Sequence, residues 1–341
     1  STSLIKYLSL KSFLDLRGER LFFVSFVILS ELLTILSMNI LITGSSGLIG
    51  TTLKRQLVSL GHRVFALVHN DNKPSVKKDL TWSIKNDYVC FPQGINIDII
   101  IHLAGANIGK PWTKSHQKAI MESRDAGTRL LVRETINQGI KPKMFISTSA
   151  IGLYEDPQMN PVDETGSFGN GFLSEVCQRW ESALQPLRES NIPTGIIRVG
   201  LVLSTKSGLY PAAALTRKLG IVPITGSKSN IWSWIHVSDL AKIYIAMVEN
   251  KIPVDIYNGV APHPVSQIEF AQKLIESTKK AGQRLLPISF KPLVPAFLLK
   301  LVLGARSQLT LTSQNIVSPK LPNDIFEFPH IDSALNDLVN G

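Results

Sequence analysis

The sequence predicts an α/β fold, with a doubly wound parallel sheet followed by a smaller C-terminal lobe. Apolar strand-like runs alternate with segments of helical spacing up to residue 199, which is typical of parallel sheets. The first strand, helix and second strand together take about 30 residues, the length of one βαβ unit. A glycine-rich turn joins that strand to that helix. These observations predict that ligands lie beyond the carboxyl ends of the strands.

The glycine-rich turn has the spacing G-x-x-G-x-x-G. Its first glycine lets the chain turn off the strand, and its second lets backbone N–H groups approach a phosphate. Its third lets the helix pack close to the sheet, and the helix N-terminus adds N–H donors with a partial positive charge. The turn therefore predicts a nucleotide cofactor, rather than a purely structural turn, held by Gly44, Ser46, Gly47, Leu48, Ile49 and Gly50.

The remaining elements follow in order along the chain. Apolar runs predict strands over 63–68, 98–103, 143–147 and 194–199. Helical spacing predicts helices over 48–60, 114–138, 173–190, 237–249, 266–280 and 295–303. Past residue 200, Gly, Pro and Ser become frequent. We therefore expect a nucleotide-binding domain over 38–235 and a smaller lobe on the substrate side over 236–341.

Residues at the strand ends should surround one crevice, because the carboxyl ends of parallel strands meet at one edge of the sheet. Ser149 follows the strand predicted over 143–147 and reaches the same edge. Besides the turn, the cofactor contacts predicted there are His69, Leu103, Ala104, Gly105 and Arg198.

Composition excludes several classes of protein. The net charge is +10, but the chain has no basic run of five residues and no alternation of aromatic and basic residues. This pattern favours anionic ligands over nucleic acid. Cys90 and Cys177 form no C-x-x-C motif, and the histidines lack metal-ligand spacing. We expect no metal, a reducing compartment and a cytoplasmic location.

Residues 1–37 are predicted to be an extension outside the fold, because Met38 immediately precedes the nucleotide-binding strand. The segment 21–36 is apolar but is interrupted by Glu31. It is short for a membrane span, which needs about 20 residues. A helical membrane anchor and a structural N-terminal helix remain as alternatives.

Four segments of the chain resemble the extended short-chain dehydrogenase/reductase superfamily. They are TGSSGLIG at 43–50, IHLAG at 101–105, ISTSAIGLY at 146–154 and RVG at 198–200. Further segments, including PWT at 111–113, GFLS at 171–174 and WIHVSDL at 234–240, resemble an atypical branch. That branch is the epimerase family of SDR39U1-like and YfcH-like proteins. The resemblance implies a nicotinamide dinucleotide cofactor, and about 285–335 resembles the small C-terminal domain of the branch.

The end of the second strand bears on the choice of cofactor. A site that prefers NAD usually has Asp or Glu there, whereas this chain has Val68 and His69. His69 suits a 2′-phosphate when it is protonated. We therefore predict NADP over NAD, although Asp71 could reach the ribose and His69 could be a merely solvated residue.

The resemblance also implies that Arg124 contacts the cofactor, at a position where the superfamily usually has Asn. The alternative is an arginine on the helix surface that pairs with Asp125 or Glu122.

Relatives in the superfamily use Ser or Thr to bind the substrate oxygen and a Tyr-x-x-x-Lys pair to transfer the proton. Ser149 stands at the serine position, but Phe172 and Val176 stand where Tyr and Lys are expected. Neither side chain can exchange a proton. Tyr154 is the predicted substitute, with a packing tyrosine as the alternative.

Two hypotheses follow for the function. The first is an NADP(H)-dependent oxidoreductase or epimerase that acts on a small polar molecule, with sugars among the candidates. The second is a non-catalytic dinucleotide-binding sensor or scaffold, which the missing Tyr and Lys favour. The only partner expected is the small-molecule substrate: no nucleic acid, and no membrane except through residues 1–37. The oligomeric state stays open.

Overall fold

The computed structural model describes residues 37–72, 80–155, 160–206, 208, 210–211, 213–214, 221–225, 227–282 and 292–340. Residues 39–341 form one compact unit. The extension predicted over 1–37 lies outside the described residues, apart from its last residue. Within the described ranges, no helix is both long and apolar enough to cross a membrane.

An eight-stranded sheet forms the centre of the fold, in the order β12-β7-β6-β5-β1-β2-β3-β4. All neighbouring strands are parallel except β3 and β4. This arrangement confirms the predicted fold class. The strands of the sheet are β1 (Asn39–Thr43), β2 (Arg63–His69), β3 (Thr81–Ser83), β4 (Tyr88–Val89), β5 (Ile99–His102), β6 (Met144–Ala150), β7 (Thr194–Val199) and β12 (Ile256–Gly259).

Helices cover the sheet and build the C-terminal part of the chain. They are α1 (Leu48–Ser59), α2 (Lys114–Asn137), α3 (Phe172–Ser182), α4 (Gln185–Glu189), α5 (Val237–Val248), α6 (Gln267–Lys280), α7 (Ala296–Leu303), α8 (Gln308–Leu311) and α9 (Ile331–Asn340). The single helix predicted over 173–190 is divided into α3 and α4. Pro186 lies in the first turn of α4, where its missing N–H costs no hydrogen bond.

The central strands are buried on both faces, which explains their continuous apolar sequence. In β1, Ile40 to Ile42 are fully buried, as are Ile99 to Ile101 in β5. The two strands pair in register, with Ile40 opposite Ile99 and Thr43 opposite His102.

The order of the strands fixes where a ligand can bind. From β1 the chain proceeds outward through β2 and β3, and then returns to the other side of β1 as β5. The strand order therefore reverses between β1 and β5, and ligands of such sheets bind at that point beyond the carboxyl ends.

Three two-stranded sheets accompany the helices of the C-terminal part: β8 (Leu201–Leu203) with β11 (Trp234–His236), β9 (Ile224–Thr225) with β14 (Leu293–Val294), and β10 (Ile231–Trp232) with β13 (Val265–Ser266). Trp234, Leu274 and Leu335 belong to one buried cluster that joins β11, α6 and α9. The domain boundary at 235/236 falls within β11, and the domain division stays a prediction.

Candidate cofactor and active site

The turn between β1 and α1 requires glycine for steric reasons. Gly44 has a φ of +68°, and a Cβ there would lie 2.9 Å from the backbone nitrogen of Ala104. A Cβ on Gly50 would overlap Gly44 O and lie 2.7 Å from Ser45 Cα. Gly47 donates its N–H to Gly44 O at 3.0 Å, which closes the turn. The glycines therefore allow β1, α1 and the loop after β5 to meet.

The N-terminus of α1 is open to a ligand. Gly47 is the N-cap residue and supplies no side chain to satisfy the first N–H groups of the helix. Ser46 and Gly47 are exposed, and Leu48 and Ile49 are half-buried. An uncapped helix start with no side chain over it suits a phosphate group.

A buried hydrogen-bond network fastens the loop after β5 to the end of β1. Thr43 Oγ1 accepts N–H bonds from Leu103 and Ala104, both at 3.2 Å. His102 contacts Thr43 Oγ1 through Nδ1 at 2.7 Å and Thr128 Oγ1 through Nε2 at 3.0 Å. Burial, together with the positive charge of Arg124, lowers the pKa of His102 to about 3. The imidazole is therefore neutral and structural near pH 7.

Arg124 extends from α2 to the underside of that loop. A Cβ on Gly105 would lie 3.1 Å from Arg124 Cζ, so the guanidinium packs closely against this glycine. Arg124 Nη1 donates to the carbonyls of Ala106 at 3.2 Å and Ile120 at 3.3 Å. The guanidinium also lies 5.0 Å from the ring centre of Trp180. Burial lowers the pKa of Arg124.

No carboxylate within the described ranges pairs with Arg124. Asp125 pairs with Arg129 at 2.6 Å, and Glu122 lies 3.5 Å from Lys118. The alternative of a surface arginine paired with either acid is therefore wrong. A half-buried cation without a carboxylate, directly beneath the loop at the β1–β5 reversal, suits an anionic ligand.

The end of β2 presents His69, which is exposed. His69 Nε2 lies 3.4 Å from Asp71 Oδ1, and the same oxygen accepts a 2.7 Å hydrogen bond from Ser83 Oγ. The Asp71 carboxylate is therefore engaged by its own loop. At Val68, where a ribose-binding acid is expected, the side chain is apolar and exposed.

Ser149 lies near the carboxyl end of β6 and is buried. Its Oγ has no oxygen or nitrogen partner among the residues that the structure describes, and it lies against the Cys177 thiol. Burial raises the pKa of Cys177 to about 12, so this thiol is not a nucleophile near pH 7. An unsatisfied buried hydroxyl is available to a ligand oxygen.

Tyr154, the predicted proton donor, lies in a structural network instead. Its side chain is 3% exposed, and its hydroxyl donates to Asn258 Oδ1 at 2.7 Å. The same hydroxyl accepts from Arg198 Nη1 at 2.8 Å. Burial raises the pKa of Tyr154. This tyrosine packs as the alternative expected, and we do not retain it as a proton donor.

Arg198, predicted to contact the cofactor, is also committed to the protein. Its Nε and Nη2 donate to the two oxygens of Glu181 at 2.9 and 2.8 Å. Its Nη1 donates to Glu164 O at 3.0 Å as well as to Tyr154. Burial acts to lower the pKa of Arg198, but the hydrogen bonds and charge of Glu181 raise it overall. We therefore assign Arg198 a structural role.

Apolar side chains fill the positions of the missing Tyr and Lys. Val176 is 3% exposed, and the Phe172 ring packs edge-on against Trp112 with centres 5.3 Å apart. Leu309, from α8, packs against the same cluster. Trp112 donates its Nε1–H to Ile108 O at 2.9 Å. We call this set the Trp112 cluster: Ala106, Ile108, Trp112, Ile120, Met121, Phe172, Leu173, Val176 and Leu309.

Metal ligands and paired cysteines give no further site within the described part of the chain. It contains no group of three or more His, Cys, Asp or Glu side chains that could hold a metal ion. Cys90 and Cys177 are not joined by a disulfide.

Comparison with known proteins agrees with the geometry. Residues 40–258 match the NAD dependent epimerase/dehydratase family, and residues 294–338 match DUF1731, a domain of unknown function. An epimerase family protein of Staphylococcus saprophyticus is 30% identical over 308 residues, which cover 88% of this chain and 99% of that protein.

Two solved structures extend the comparison. The crystal structure of the human epimerase family protein SDR39U1 (isoform 2) with NADPH has a TM-score of 0.73 and 26% identity, covering 89% of this chain and 99% of that one. A nucleoside-diphosphate sugar epimerase from Corynebacterium glutamicum has a TM-score of 0.65 and 28% identity, covering 89% of this chain and 58% of that one. These matches confirm the resemblance and the C-terminal domain that the sequence predicted, and the chain belongs to the NAD dependent epimerase/dehydratase family.

Proposed function

We propose that this protein binds NADP(H) at the β1–β5 reversal. The observation that carries the proposal is Arg124, a half-buried cation with no carboxylate partner among the described residues, beneath Gly105. Burying an unpaired charge is costly, so an anionic ligand is the natural compensation. The human relative, solved with NADPH, supports the same assignment.

The residues of the crevice fit a dinucleotide. The uncapped start of α1, from Gly47 to Gly50, would hold the pyrophosphate. Arg124 and the loop Leu103 to Gly105 would hold the part of the cofactor nearer the sheet centre. When bound, the nicotinamide ring supplies or accepts a hydride.

The preference for NADP rests on the end of β2. His69 is exposed there and Val68 offers no carboxylate to the ribose hydroxyls. His69→Asp should weaken NADPH binding by about tenfold and improve NADH binding, because a carboxylate repels a 2′-phosphate and accepts from a ribose hydroxyl. Asn72→Asp, which adds the same charge to the same exposed loop, is the control. Equal effects of the two variants would reject the role of His69.

We further propose that the protein is an oxidoreductase or epimerase of the cytoplasm, acting on a small polar, sugar-like molecule. Ser149 would bind the substrate oxygen through its unsatisfied Oγ. Tyr154 is engaged by Asn258 and Arg198, so we assign it no part in proton transfer.

A non-catalytic NADPH sensor or scaffold is the second candidate. The Trp112 cluster favours it, because Val176 is buried among apolar side chains where a catalytic lysine would have to stand. Such a protein would bind the dinucleotide and report its redox state without turnover.

Cofactor oxidation with a panel of carbonyl compounds and nucleotide sugars separates the two candidates. Turnover that Ser149→Ala abolishes and Ser147→Ala preserves would establish the enzyme, since Ser147 is a neighbouring buried serine of β6. NADPH binding without turnover on the panel would establish the sensor. If neither dinucleotide binds, both candidates fail.

A further inference from the structure

Helix α7 presents an apolar face to solvent. Phe297 is 68% exposed and Leu301 is 81% exposed, while Leu298 and Leu293 are 41% and 47% exposed. These four are half of the eight large apolar side chains exposed in the described part of the chain. Single exposed apolar residues are ordinary, whereas a contiguous group marks a surface that binds something.

The spacing of these residues gives the helix one apolar face. Phe297 and Leu301 are four residues apart, so they lie one above the other on the same side. Lys300 is exposed beside them on the helix. Pro295 begins the helix, and Gly304 ends it with a φ of +58°. We call Leu293, Phe297, Leu298 and Leu301 the α7 patch.

The sequence around the α7 patch carries cations and no anions. Residues 277–323 contain no Asp or Glu. Their seven basic residues are Lys279, Lys280, Arg284, Lys291, Lys300, Arg306 and Lys320. A segment of this composition attracts negatively charged surfaces.

One further contact lies beside the end of α7. Arg306 follows Leu303, the last residue of α7, by three residues and donates Nη1–H to Gly109 O at 2.5 Å, and the next residue, Lys110, is exposed. Within the described ranges, none of Lys300, Arg306 and Lys110 forms an ion pair. The α7 patch is therefore flanked by cations that a negatively charged partner could neutralise.

We propose that the α7 patch docks this protein on an anionic lipid surface. Apolar residues on one helix face, with lysine or arginine at its flanks, are the pattern of helices that lie in the membrane interface. A second copy of the chain fits less well, because it would bring the same cations together without carboxylates to pair them. This docking is independent of the dinucleotide site.

Sedimentation of the full-length protein with lipid vesicles tests the proposal. We expect binding to vesicles of phosphatidylcholine mixed with phosphatidylglycerol, and little to phosphatidylcholine alone. Phe297→Ser and Leu301→Ser should each reduce that binding by about tenfold. Lys300→Gln should reduce it by a few-fold, with weaker sensitivity to salt. Val58→Ser is the control, since Val58 is 52% exposed on α1, outside the patch.

A second measurement separates the patch from residues 1–36, whose apolar sequence could itself bind vesicles. We expect brominated lipid to quench the added tryptophan of Phe297→Trp, and not that of Val58→Trp. Equal quenching of the two variants would overturn the proposal. So would a concentration-dependent dimer, in the absence of lipid, that Phe297→Ser and Leu301→Ser abolish while Val58→Ser keeps it, since a second copy would then cover the patch.

Discussion

The two halves of the crevice are built differently, and two arginines show how: Arg124 is half-buried, whereas Arg198 is buried. On the β1–β5 side, Arg124 has only carbonyls and the Trp180 ring as partners, and it is short of negative charge. On the β6–β7 side, Arg198 has both oxygens of Glu181 and the hydroxyl of Tyr154. The first arginine lacks a carboxylate partner among the described residues, whereas the second has one in Glu181.

The same contrast holds for the surroundings of each arginine. The cofactor half consists of close backbone contacts at Gly44 and Gly50 and an uncapped helix start, all of which leave space for an anion. The other half is filled by the Trp112 cluster. Binding of a dinucleotide and transfer of a proton are therefore separable features of this fold. The polar groups of this chain serve binding.

Replacing each arginine by methionine should give the largest contrast. Arg198→Met leaves Glu181 buried without its partner and should lower the free energy of unfolding by about 3–5 kcal/mol. Arg124→Met removes an unpaired charge, so it should leave stability equal or higher. Arg124→Met should weaken NADPH binding by about 30-fold, because a charge-assisted hydrogen bond is lost. Urea denaturation and calorimetry measure the two effects. Similar stability losses in both variants would remove the distinction between the arginines.

Val176→Lys tests whether the half of the crevice that the Trp112 cluster fills is packed core or open cavity. A lysine there enters the Trp112 cluster, which offers no acid, and should destabilise the protein by about 3 kcal/mol. Val176→Leu, which stays apolar, should cost less than about 1.5 kcal/mol. Thermal and urea unfolding compare the two variants. A stable Val176→Lys protein would show that the position faces solvent, and would reopen the site to proton transfer.

Gly50→Ala tests the cofactor half of the crevice. The added methyl would overlap Gly44 O, so α1 must move away from β1. We expect NADPH binding to weaken by about 100-fold, or about 2.7 kcal/mol. Gly139→Ala is the control, because nothing lies near the added methyl there, so its cost comes from the φ of +67° alone. It should cost about 1 kcal/mol of stability and leave affinity unchanged.

The pH dependence of stability tests the Thr43–His102–Thr128 network, which lies beneath the cofactor half of the crevice. The pKa of His102 is about 6.5 in the unfolded chain and about 3 in the fold, so the folded state prefers the neutral imidazole. Its stabilising contribution is complete above pH 6.5 and is lost as the pH falls towards 3. His102→Gln should therefore remove about 1.4 kcal/mol per pH unit from the acid dependence of stability between those values. Urea denaturation at several pH values measures this, and an unchanged slope would contradict it.

Much of the fold was predictable because the long elements have strong periodic patterns. The ranges of α1, β2 and α2 agree with the predicted ones within one residue. The short strands β3 and β4 were not predicted, because two or three residues carry no measurable period. Helix α9 was missed although Ile331, Leu335 and Leu338 give it helical spacing.

The site was predictable only where the chemistry is local. The glycine turn is one contiguous segment, whereas the Thr43–His102–Thr128 network joins residues far apart in sequence. The pairing of Tyr154 with Arg198 is equally remote, so a tyrosine near Ser149 looked available for catalysis. Resemblance, not pattern, indicated Arg124.

Calorimetric titration of residues 1–341 with NADPH and with NADH measures whether Arg124 binds the cofactor. We expect saturable binding of NADPH, tighter than that of NADH, with the NADPH signal greatly weakened in Arg124→Met and unchanged in Arg129→Met, whose arginine already pairs with Asp125. Absence of binding by either dinucleotide, or equal loss in the two arginine variants, would contradict it.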